Sequence, residues 1–204
     1  MTAQPSAPNV NRTIWPWVAG IVALLVAVGW WVQPEKAIVP KPLGQVRLTL
    51  PDTATATYTS SCGTSFRLPR HAKVELRNTP AQEQGCWYNL AFPRFQARIH
   101  CTERAVGTDL NQLMKDAQSL VFGHESAATG IRRQSFELPG KFGMIFLLEG
   151  PVATPMQFYI TDSTQHFMRG SLYFNHRPNP DSTAPVLDRM EADVRKLMET
   201  LKWS

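Results

Sequence analysis

Apolar residues fall along this chain in three kinds of pattern, and each predicts a different element. The first is an unbroken run. Residues 14–32, IWPWVAGIVALLVAVGWWV, carry no charge. At about 1.5 Å per residue, a helix of this length nearly crosses a hydrocarbon core of about 30 Å. Trp15 and Trp17 at one end and Trp30 and Trp31 at the other match the aromatic belts of a single transmembrane helix. Pro16 falls in what would be the first turn, where a missing N–H is harmless. Ala27-Val28-Gly29 also fits the small-x-small rule of a signal-peptide cleavage site. The tryptophans that follow suit an interface better than a mature terminus, which favours an uncleaved anchor. No cysteine lies in or near the run, so it holds no lipobox.

The second pattern is alternation with period two, the mark of a half-buried strand. It is seen at residues 46–50, 65–68, 73–77 and 96–102, and after a gap at 156–161 and 166–175; residues 87–92 and 131–138 are read as further strands. Residues 142–148 are apolar on both faces and predict a central strand. The third pattern is the helical stripe. Leu110, Leu113, Met114, Ala117, Leu120 and Val121 predict one helix, capped by Thr108 or Asp109. Met190, Val194, Leu197 and Leu201 predict a second, with Asp181, Ser182 and Thr183 as candidate caps. The order is strands, helix, four strands joined by short turns, helix. That is an α+β domain: an antiparallel sheet with helices packed on it. By element order it is analogous to the αβα sandwich of Mog1/PsbP-like proteins.

These patterns divide the chain into a disordered tail (1–13), a transmembrane anchor (14–32), a Pro-containing linker (33–44) and one α+β domain (45–204). Lys+Arg 21 against Asp+Glu 16 gives a net charge of +5, with the basic residues scattered. Nucleic-acid binding needs a basic stripe or cluster, so it is not expected. Orientation is undecided by flanking charge. Lys36, Lys41 and Arg47 follow the run and only Arg12 precedes it, yet long domains translocate largely regardless of charge.

The densest cluster of chemical groups is FYITDSTQHFMRGSLYFN from Phe158, which packs Asp162, Ser163, Thr164, His166 and Arg169 together. Met156, Phe158 and Ile160 share one face of a strand, as do Met168, Gly170, Leu172 and Phe174. The segment therefore predicts a hairpin whose loop, Asp162 to Gln165, uses side chains that bond nearby backbone N–H groups. A hydrolase would need Ser163 held by His166, and His166 by an acid; Asp162 adjoins Ser163 too closely to do this easily. No G-x-S-x-G motif is present. Arg169 shares a face with Tyr159 and Tyr173, which makes that face a candidate binding surface. The five histidines show no i, i+4 pair, there is no phosphate loop, and the cysteine spacing fits no zinc site, so neither metal nor cofactor is expected. The three cysteines, Cys62, Cys86 and Cys101, allow one disulfide and one spare thiol, with three possible pairings.

Several runs together resemble a known family. They are Cys62 ahead of SFRLP, CWYNLAFPRFQARIH from Cys86, DLNQLMKDAQ from Asp109, QFYITDSTQHFMRGSLYF from Gln157, PNPDS from Pro178 and LMETLKW from Leu197. Over residues 45–203 the chain resembles the GldD family of gliding-motility lipoproteins of the Bacteroidetes group. The resemblance implies a non-enzymatic envelope protein of the gliding machinery, linked to type IX secretion, whose partners are other proteins of that machinery. It brings no catalytic residues. Cys62 and Cys86 fall at cysteine positions of the family pattern and Cys101 does not. The resemblance thus implies a Cys62–Cys86 bridge, a periplasmic domain and an anchor on the inner membrane. Asp162, His166, Arg169, Tyr159 and Tyr173 become the candidate interaction surface. A ligand-binding module on the Arg169 face, or a hydrolase using Ser163 and His166, are the competing readings. One departure stands: the family carries a lipobox cysteine, and here the run 14–32 takes its place.

Overall fold

The computed structural model describes residues 11–31, 54–77, 85–107, 109–176 and 179–203. The expected strand at 46–50, the linker at 33–44, most of the N-terminal tail and the alternative cap Thr108 lie outside the described residues. The chain divides into two units, Met1–Gly44 and Gln45–Ser204.

In the first unit, helix α1 covers Asn11–Trp31. Residues 11–13, expected to be disordered, are helical and extend it by almost a turn. Pro16 consequently lies inside the helix rather than in its first turn, where it removes the bond to the carbonyl four residues back. Every side chain from Trp15 to Trp31 is exposed, apolar ones included. Among the described residues no helix is long and apolar enough to cross a membrane.

The second unit is built on a seven-stranded sheet in the order β3-β4-β5-β9-β8-β7-β6. All its pairings are antiparallel. The strands are β3 (Lys73–Leu76), β4 (Cys86–Phe92), β5 (Ala97–Ala105), β6 (Gly130–Leu138), β7 (Lys141–Glu149), β8 (Met156–Thr161) and β9 (His166–Phe174). Each matches an expected strand to within a few residues, β7 being the one expected from a run apolar on both faces. A further pair, β1 (Thr55–Thr59) with β2 (Ser65–Pro69), forms a separate small sheet. β1 differs from the expectation, because its threonines, with Thr57 and Thr59 exposed, leave no clear apolar period.

Two helices cover opposite faces. α2 (Leu110–Phe122) crosses from β5 to β6. It buries Ala117 and Val121 against Phe146, Leu148, Tyr159 and Phe167. Asp109 caps it, accepting from the backbone N–H of Gln112. α3 (Pro180–Thr200) follows β9. It buries Val186, Met190, Val194, Leu197 and Met198 against Tyr88, Ile99, Ile145, Phe158 and Leu172. Burying each such side chain contributes about 1.5–3 kcal/mol, so the stripe read from the sequence is also what holds α3 down. Its cap is Asn179, with Pro180 at the first position, rather than Asp181, Ser182 or Thr183. At its other end there is no glycine cap. Lys141 Nζ donates instead to the carbonyls of Met198, Glu199 and Leu201, at 3.3, 3.1 and 2.7 Å. β2 closes the same end, since Ser65 pairs with Lys202.

Candidate functional site

The β8–β9 hairpin is organised by Asp162. Its Oδ1 accepts the backbone N–H groups of Thr164, Gln165 and His166 at 3.0, 2.8 and 2.8 Å. Its Oδ2 lies 2.6 Å from His166 Nδ1. Thr161 Oγ1 accepts from Ser163 N and donates to the His166 carbonyl, closing the turn from the other side. Ser163 takes the left-handed conformation at φ 67. Burial pushes the Asp162 carboxyl up. The bonds from His166, Gln165 and Thr164 outweigh it and hold the group well below the usual carboxylate range.

The sign of the linkage follows. A carboxyl depressed in the fold stabilises above its unfolded pKa of about 4, and that contribution fades as pH falls below it. Asp162→Ala is expected to cost about 1–3 kcal/mol at pH 7, because three loop N–H groups lose their acceptor. Urea unfolding at falling pH checks this: the gap to the parent protein should narrow steadily below about pH 4. A gap that stays constant into acid would contradict it.

The hairpin places an acid on His166, as a hydrolase requires, but it does not deliver the nucleophile. Ser163 is exposed. Among the described residues no hydroxyl or thiol is hydrogen-bonded to the His166 ring. The imidazole instead stacks on Trp203, with centroids 5.0 Å apart and planes 7° from parallel. Together they wall a groove of about 350 Å³ that also reaches Cys62, Glu103 and Arg104. Glu103 is only 4% exposed. Its carboxylate accepts from Ser60 Oγ at 3.1 Å and from the Tyr88 hydroxyl. Burial first, and then Cys101 and Glu103, push the Tyr88 phenol far above its usual value, so it remains the donor of that bond.

Arg169 begins a second groove. Cross-strand register aligns Trp87, Thr102, Arg169 and Tyr159 in one row over β4, β5, β9 and β8. Residues opposite one another in a sheet share a face. α2 covers one end of this row and leaves the other open. Tyr159, at the covered end, is 2% exposed and stacks on Phe167. The candidate surface is corrected accordingly: Tyr159 is core, and the face beside Arg169 is completed by Trp87 and Thr102. Tyr173 is half-buried and meets His100 edge-on at 5.1 Å. The groove between α2 and the open strands is about 410 Å³. Arg104 and Phe167 line it and the Trp203 groove alike, so His166 and Arg169 belong to adjoining hollows.

Trp87, Thr102, Arg104, Glu103 and Trp203 were not singled out from the sequence. Trp87 and Trp203 had a signal, as isolated tryptophans beside strand and helix ends. Thr102 and Arg104 had none, because alternating polar residues on a strand read as a wet face. The cysteines behave as the family pattern implies: Cys62 and Cys86 are bridged and Cys101 is a buried free thiol. Among the described residues no group of three His, Cys, Asp or Glu side chains is placed to hold a metal.

A family model described as gliding motility lipoprotein GldD matches residues 35–203. No curated protein and no solved structure matches the chain.

Proposed function

We propose, for a chain that belongs to the GldD family of gliding motility lipoproteins, a non-enzymatic role as a membrane-anchored accessory protein of the gliding and type IX secretion machinery. The family match over residues 35–203 is the observation that carries this reading. In it, α1 attaches the chain to the inner membrane and residues 45–204 dock other proteins of the machinery in the periplasm. The bare apolar surface of α1, with Trp15 and Trp17 at one end and Trp30 and Trp31 at the other, supports an anchor. The Cys62–Cys86 bridge supports an oxidising compartment. With those two cysteines bridged and Cys101 buried, α1 takes over the attachment that a lipid gives other family members. The Asp162–His166 pair acts as the brace of a loop, and the two hollows it adjoins form the docking face.

Removing residues 45–204 while keeping the anchor is expected to abolish colony spreading and cargo secretion. Point variants in the hairpin that keep the fold should give partial defects. A strain that spreads and secretes normally without residues 45–204 would sink the reading.

A further inference from the structure

We propose that the groove between α2 and the open β4–β5–β9 face receives an acidic segment of a partner protein, with a carboxylate seated between Arg104 and Arg169 against Trp87. This rests on the docking role above and names the chemistry of the partner.

The charges in the groove are unbalanced. Arg104 and Arg169 lie diagonally across the β5–β9 pair, since Arg104 faces Phe167 and Arg169 is two residues further along. Diagonal neighbours on one face are about 7–8 Å apart at the backbone, within reach of one another for side chains this long. Among the described residues neither makes an ion pair. Asp116, the one acid lining the groove among the described residues, is engaged by Gln112 Nε2 at 2.7 Å on its own helix. Glu103, next to Arg104 in sequence, is occupied by Ser60 and Tyr88. Burial, and then the Arg104 charge, push the Arg169 guanidinium below its usual value, with Tyr173 and Asp116 opposing weakly. A half-buried cation beside a second cation is a site that gains when an anion arrives.

The walls select among anions. The Trp87 ring and the exposed rim of Leu120, at 45%, offer apolar contact to a side-chain stem, which a bare ion does not use. The Thr102 hydroxyl can donate to a carboxylate oxygen, and guanidinium forks match carboxylates in two-point contact. Asp116 on the α2 wall repels a phosphate dianion more than a singly charged carboxylate. The groove is also recessed between a helix and a sheet, whereas a lipid surface or a nucleic-acid backbone needs a protruding basic stripe.

The test uses the full chain in neutral detergent micelles, followed by nitrogen–proton spectra of the tryptophan indoles and arginine Nε groups. The probe is a blocked hexaglutamate peptide, with hexaglutamine and inorganic phosphate as controls. The Trp87 and Arg169 signals should shift saturably with hexaglutamate, not with hexaglutamine, and the affinity should fall as salt is raised. Arg169→Gln should weaken binding at least about tenfold. Arg104→Gln, at an exposed position that leaves the core untouched, should weaken it in the same direction. Arg67→Gln, on the separate small sheet, should leave it within about twofold. Three outcomes overturn the proposal: no saturable shift at Trp87, equal losses in all three variants, or phosphate displacing the peptide at lower concentration. Any of these can occur in a strain that still requires residues 45–204 for gliding, so this site can fail while the functional reading stands.

Discussion

Replacing both bridged cysteines, Cys62→Ser with Cys86→Ser, is expected to lower the free energy of unfolding by about 3 kcal/mol. The bridge spans a sequence separation of 24 with Cα atoms 6.0 Å apart. Cutting it releases a closed segment of that length in the unfolded chain, and the entropy regained there accounts for the expected loss. The native side adds to it. Cys62 sits in the turn between β1 and β2, and Cys86 begins β4, so the bond ties the small sheet to the main one. For a domain stable by about 5–15 kcal/mol this is a large share. Urea unfolding with and without reductant measures it: reductant should shift the parent midpoint and leave the double variant unmoved. Cys101→Ser should retain the reductant sensitivity, since its thiol is buried and unbridged. Equal midpoints for oxidised and reduced parent protein would refute the assignment, as would peptide mapping that links Cys101.

Gly170→Val is expected to be at least as damaging as a typical overpacked core, about 1–3 kcal/mol or more. Gly170 faces Cys101 on β5 and Phe158 on β8. A Cβ built there would lie 2.4 Å from two carbons of the Phe158 ring and 3.1 Å from Ile99 Cγ2. The ring lies where a side chain would otherwise stand, and Phe158 is itself buried against α3. The clash therefore forces the ring off its rotamer or pushes β8 from β9, which would also disturb the hairpin that carries Asp162 and His166. Because one contact causes the loss, it should be relieved by its partner. Gly170→Ala with Phe158→Leu should be more stable than the sum of the single changes by about 0.5–3 kcal/mol. Simple additivity in denaturant unfolding would show that Gly170 is required for another reason.

How much of this was legible beforehand depends on how local the signal is. Strand alternation, the α2 and α3 stripes, an α2 cap at Thr108 or Asp109 and the Asx turn at Asp162 each rest on residues within a few positions of one another, and each is legible in the sequence. Errors arose where neighbours compete or where no period exists. Asn179 outranked Asp181 as the α3 cap because Pro180 fits the first helical position, and β1 escaped because threonines on a half-exposed edge look like loop. The groove beside Arg169 is of another order. Trp87, Thr102, Arg169 and Tyr159 come from four strands, and only the register β4-β5-β9-β8 sets them in a row.

The sequence by itself determined all but one of the described elements, their order and the family. These follow from backbone periodicity and short-range side-chain chemistry, which act before the chain has folded. Tertiary structure alone decided that α2 covers β7 and β8 and stops short of β4 and β5. A strand's alternation says that Tyr159 and Arg169 occupy faces, but not which faces a distant helix will shield. That placement buries Tyr159, leaves Arg169 beside Arg104 with no ion-paired acid among the described residues, and makes a groove of what the sequence presents as ordinary wet sheet.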